Sequence, residues 1–94
     1  MKYLKVEWIH SLQNEPIIIY SEIDNKYNEI RKVEIYRDNK IGYADLNTEF
    51  RGTRLSEEPL PTLSEIALDN QFKPMEIDKH EFEEVWLKRM QLNK

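Results

Sequence analysis

The sequence predicts an α+β fold: an antiparallel sheet of about four strands, running as a meander, with one face covered by one or two C-terminal helices. Three observations predict it. Apolar and polar residues alternate with period two through the first 45 residues. The breaks between those runs are short and rich in Asn, Asp, Ser and Pro, which favours antiparallel hairpins. After Thr62 the spacing becomes helical, and a capping signal stands ahead of each of two runs.

The first strand is predicted from Tyr3 to Ile9, where Leu4, Val6 and Trp8 share one phase and Lys5 and Glu7 the other. "SLQNEP" supplies a turn. "IIIYSEID" resumes the alternation, with Ile17, Ile19 and Ile23 in phase, and predicts the second strand. "NKYN" breaks the run before "EIRKVEIYR", the third strand, which sets Val33 and Ile35 against Lys32, Glu34 and Tyr36. The turn "DNK" leads to a short fourth strand, "IGYAD", where Gly42 marks a bend or a close approach of neighbouring chain. Residues 46–62 read as a long loop, a length that is uncommon in a compact domain and often functional. "TLSEIALDNQF" is a helix candidate capped by Thr62 and Glu65, with Leu63, Ile66 and Leu68 as its contacts. The last helix starts at Asp78, with Glu81 three residues on, and aligns Phe82, Val85, Trp86 and Met90. Its acids lie early and Lys88 and Arg89 late, which suits the helix dipole without any functional cause. The whole chain, 1–94, reads as one domain: sheet over 1–45, loop over 46–62 and a helical region over 63–91.

Composition excludes several function classes. The 94 residues contain no cysteine, so disulfides, thiolate metal sites and cysteine nucleophiles are ruled out by inspection. No run of about 18 apolar residues exists, so no transmembrane helix is expected, and the start lacks a signal-peptide pattern, which makes the cytoplasm the expected location. The net charge is −4, with seven basic and nine acidic residues in each of 1–50 and 51–94. That even, weakly acidic balance gives no counterion-release drive, so nucleic acid is not an expected partner. Two glycines cannot build a phosphate-cradling loop or a dinucleotide fingerprint, and no serine has a G-x-S-x-G context.

The remaining candidates are binding residues. His10 and His80 stand in no metal-binding pattern, so neither a metal nor another cofactor is expected. His10 shares the phase of Val6 and Trp8 at the sheet margin, and Glu15-Pro16 opens the second strand. By phase the sheet face left uncovered by helices presents Tyr3, Lys5 and Glu7, then Ile18, Tyr20 and Glu22, then Lys32, Glu34 and Tyr36. Tyrosines mixed with both charge signs suit a recognition surface, and equally a ladder of cross-strand pairs that keeps the sheet in register. Arg31 and Arg37 flank Val33 and Ile35, while Arg51, Arg54, Glu57 and Glu58 lie in the long loop. Such arginines either clamp an anion or pin the loop.

The segments "KVEWIH", "EP" at 15–16, "YSEID", "RKVEIYRD", "GYAD", "GTRLSEEPLP" and "FEEVW" resemble a family of small bacterial proteins known as a domain of unknown function, over residues 2 to 87. The resemblance implies a bacterial, cytoplasmic single domain and brings no catalytic residue with it.

These readings lead to a non-enzymatic domain that binds another protein through its uncovered sheet face or the 46–62 loop, an immunity-type role being one form of this. Self-association through the same face or a free edge would make it a homodimer. The alternative is a small-molecule site or minor enzyme, with His10, Tyr20, Glu22 and Arg54 converging near the mouth of the first hairpin.

Overall fold

A computed structural model describes residues 1–92, with side chains to Arg89. The expected contact of Met90 lies outside the described residues. The alternating N-terminal segments form β1 (Lys2–Trp8), β2 (Ile18–Ile23), β3 (Glu29–Ile35) and β4 (Ile41–Ala44). Two further strands extend the sheet to six: β5 (Glu49–Phe50) inside the expected loop, and β6 (Phe72–Ile77). The spatial order is β5-β4-β3-β2-β1-β6, all antiparallel. The meander therefore holds from β1 to β5, and β6 returns to close on the free side of β1. Among the described residues the sheet thus has six strands, where about four were expected.

Local chemistry explains the connections. Asp24 accepts from the amides of Lys26 at 2.8 Å and Asn28 at 2.9 Å and so shapes the β2–β3 turn, where Tyr27 takes a positive φ of 66°. Asn39, at φ 68°, fills the left-handed position of the β3–β4 turn, a place that Asn tolerates better than most residues. The Thr62 capping box forms as expected, but the helix it starts, α1 (Leu63–Ile66), is only four residues long, and Leu68 is 83% exposed rather than packed. The chain beyond α1 becomes β6 instead of continuing the helix. The final helix, α2 (Lys79–Leu92), begins where Asp78 accepts from the Glu81 amide at 2.8 Å.

Cross-strand register fixes the faces. Tyr3 pairs with Glu22 and Ile77, Tyr20 with Lys5 and Val33, and Val33 with Tyr43. All of these lie on one face, and α2 covers that face: Phe82, fully buried, packs 5.3 Å from the Tyr3 ring, and Trp86 meets Tyr43 at 5.8 Å. Burying Phe82 contributes about 3 kcal/mol by area removed from water. The other face carries Leu4, Val6, Ile23, Lys32 and Glu34. The 51–62 segment is tied to it, and α1 packs against β6.

The uncovered face expected from the sequence does not exist as a unit. Tyr20 and Glu22 are buried, at 6% and 7% exposure, on the side that α2 covers, and Tyr36 follows the phase of Lys32 and Glu34 toward the other side. Both faces of β1 and β2 are in use, so a period-two pattern could not tell which one met the helix.

Gly42 is a close approach. A Cβ there would lie 2.1 Å from Oγ1 of Thr53, which is 1% exposed and donates to Glu34 at 2.7 Å. Among the described residues no helix is long and apolar enough to cross a membrane.

Candidate functional site

The strongest polar cluster lies beneath α2. Arg31 donates through Nε and Nη2 to Glu22, at 2.6 and 3.0 Å, and through Nη1 and Nη2 to Glu83 on α2, at 3.0 and 2.8 Å. Its guanidinium also lies 4.8 Å from the Phe82 ring centre and 4.9 Å from that of Trp86. Hydrogen bonds from Arg31 hold the Glu22 and Glu83 carboxyls below the usual carboxylate range, and the same two carboxylates raise Arg31. Burial, followed by its bond to Glu22, pushes the Tyr3 phenol up. Nearly every N–H donor of Arg31 is occupied. This double fork bolts the helix to the sheet and commits four of the five guanidinium N–H donors within the protein.

A second cluster pins the long loop. Glu29, whose side chain is fully buried, accepts from Ser21 Oγ at 2.7 Å and the Ser56 amide at 2.7 Å, with Lys32 Nζ at 3.2 Å. Lys32 in turn donates to the Arg54 carbonyl at 2.9 Å. The Arg54 side chain is 72% exposed and pairs with Glu49 at 3.5 Å.

The mouth of the first hairpin is different. His10 Nε2 donates to the Pro16 carbonyl at 2.8 Å, and its Nδ1 accepts from the Leu12 amide at 2.9 Å, which defines a neutral ring with the proton on Nε2. The ring lies tilted at 55° against Trp8, centre to centre 4.3 Å, and the buried Nε1 of Trp8 has no hydrogen-bond partner among the described residues. Arg37 donates to the His10 carbonyl and ties the hairpin loop to the end of β3. His10 therefore shapes the loop from inside. Glu15 is exposed at the same mouth.

Beside this loop a cleft of about 440 Å³ is lined by Gln13, Asn14, Tyr36, Arg37, Asp38, Lys40 and Arg51. Three connections build it: the 9–17 loop, the turn after β3 and the turn after β5. Lys40 lies 3.9 Å from Asp38, both well exposed, so that pair is weak. Arg51 has a positive φ of 59°, and it is followed by Gly52 at 77°. For an arginine this left-handed conformation costs about 1 kcal/mol. The turn is held by the Thr53 amide on the Phe50 carbonyl at 3.3 Å. Burial, with the nearby Glu34 carboxylate adding to it, raises the Tyr36 phenol.

Of the residues singled out from sequence, Tyr36, Arg37 and Arg51 line the cleft, while His10 and Glu15 belong to its hairpin. Tyr20, Glu22 and Arg31 lie toward the opposite end of the sheet, where Glu22 pairs with Tyr3. Arg54 stands on the crossing loop. The expected convergence of His10, Tyr20, Glu22 and Arg54 does not occur. Lys40, Gln13 and Asn14 were not singled out; the turn pairs Asp38-Asn39 and Arg51-Gly52 were the available signal.

A family model described as a domain of unknown function, DUF6881, matches residues 2–91. The chain belongs to that family. No curated protein and no solved structure matches this DUF6881 chain.

Proposed function

We propose that this DUF6881 chain is a bacterial, cytoplasmic binding domain without catalytic activity, and that its site is the cleft at the mouth of the first hairpin. The observation that carries this reading is the convergence of three loops, with Arg37, Lys40 and Arg51, around about 440 Å³ of accessible space. A pocket of that size falls in the range of roughly 300–1,000 Å³ usual for small-ligand sites. The residues of the single sheet face favoured by sequence are divided between the side under α2 and the side crossed by the 51–62 segment, which supports moving the binding role from that face to the loop end. The groups with displaced pKa values that make ion pairs, Glu22, Arg31 and Glu83, are consumed in a structural clamp and supply no general acid or base.

The test is an amide-resolved NMR titration of the full chain with a mixed panel of neutral, cationic and anionic metabolites. Saturable shifts at Asn14, Lys40, Arg51 and Gly52 are the expected result. Ligands that instead move Lys5, Ile18 and Met75, which line a smaller depression on the sheet corner, would overturn the assignment. A panel that leaves the cleft amides unmoved would do the same.

A further inference from the structure

We infer that the hairpin-mouth cleft receives the phosphoryl group of a small phosphorylated molecule, with Arg51 and Lys40 as its direct cationic partners and Arg37 as a fixed positive wall. The inference rests on the binding reading above and names its ligand class.

The first support is a local reversal of charge. The chain carries 14 basic and 18 acidic residues, yet the cleft lining has three cations and one acid. A phosphoryl group carries about −1.5 to −2 at neutral pH and is matched by such a surplus, whereas a single carboxylate needs only one partner.

The second support is preorganisation. Arg51 makes no hydrogen bond or ion pair among the described residues, although its guanidinium rests 5.5 Å from the Phe50 ring centre, and Phe50 stacks on Tyr43 at 4.9 Å. Its turn is anchored through the buried Thr53 to Glu34. Lys40 stands on a turn closed by Asn39 N to the Tyr36 carbonyl at 2.9 Å and Tyr36 N to the Lys40 carbonyl at 3.0 Å. Arg37 is held by the His10 carbonyl. All three cations are thus carried on fixed backbone, which lowers the ordering cost of binding. Gln13 and Asn14 add neutral amide donors from the facing loop.

The third support is scale. The cleft suits a sugar phosphate or mononucleotide, and a chain with a net charge of −4 has no general drive toward a polyanion.

The experiment titrates the full chain at low ionic strength with glucose 6-phosphate, inorganic pyrophosphate, succinate and a phosphoserine peptide, each read at the cleft amides. The phosphates should bind more tightly than succinate. Arg51→Asn, which suits the left-handed backbone, and Lys40→Gln should each weaken phosphate binding by roughly tenfold. Urea unfolding of both variants confirms that they remain folded. Succinate binding as tightly as the phosphates overturns the phosphoryl assignment and leaves the cleft reading intact. A phosphopeptide that outcompetes the small phosphates makes the occupant a modified protein and overturns the small-molecule class. No shift with any anion overturns the inference, and the neutral and cationic arms of the earlier panel then decide the cleft reading separately.

Discussion

Replacing Arg31 by Met tests how the helix is held to the sheet. The guanidinium side chain is 18% exposed, Glu22 is 9% and Glu83 is 35%. Removing the cation leaves the Glu22 carboxylate beneath α2 with the Tyr3 hydroxyl as its chief remaining donor. Breaking a buried pair in this way costs about 3 kcal/mol, taken at the low end because the guanidinium keeps some water contact. For a domain of this length that corresponds to a fall in Tm of roughly 15 °C. Urea unfolding followed by tryptophan fluorescence reports it, since Trp86 lies against the guanidinium. Arg31→Met combined with Glu22→Leu should recover at least half of the loss, because the stranded charge leaves with its partner. Glu83→Gln alone, at a half-exposed site, should cost about 1 kcal/mol or less. A cost below about 1 kcal/mol for Arg31→Met, or no recovery in the double variant, would refute desolvation of Glu22 as the source of the effect.

Glu22 and Glu83 have folded pKa values below the ordinary 4.5, so their stabilisation is present above pH 4.5 and is lost as pH falls through the folded values; acid titration of wild type should show that loss, and Arg31→Met should flatten it. Gly42→Ala drives a methyl into Thr53 Oγ1 and should destabilise by about 1–3 kcal/mol in a thermal melt, with partial rescue by Thr53→Ala. His10→Ala removes the bonds to Pro16 and Leu12 and should cost about 1–2 kcal/mol while raising amide exchange at Leu12; an unchanged exchange rate would show that the loop holds its shape without the ring.

Much of the scaffold was legible because local chemistry dictated it. The period-two runs gave β1 to β4, Thr62 and Asp78 gave both helix starts, and Gly42 gave the close approach. β6 was hidden because it is an outer strand whose Pro74 reads as a breaker, and its partner β1 lies far away in sequence. The facing of β1 and β2 was undecidable locally, since Tyr3 and Leu4 are both buried. Arg31 was visible as an arginine near a buried strand, but its two carboxylates are joined only by the tertiary fold. The cleft was less legible still, because its residues come from three separate connections, and turn pairs such as Asp38-Asn39 and Arg51-Gly52 mark the turns without showing that they meet.

The return of β6 to β1 also has a consequence in time. Tyr3 finds Ile77 only after nearly all of the described chain has been synthesised. Until then the β1–β5 ribbon presents a free hydrogen-bonding edge along Lys2–Trp8, and the Tyr3–Tyr20–Val33 side lacks the helix that will roof it. Newly made chains therefore pass through an interval in which they are most open to edge-to-edge pairing with one another. The strand that ends this interval carries Lys73 and Pro74 together, with Glu76 two residues on, and a proline and two charges discourage further strand pairing once it becomes the outer margin.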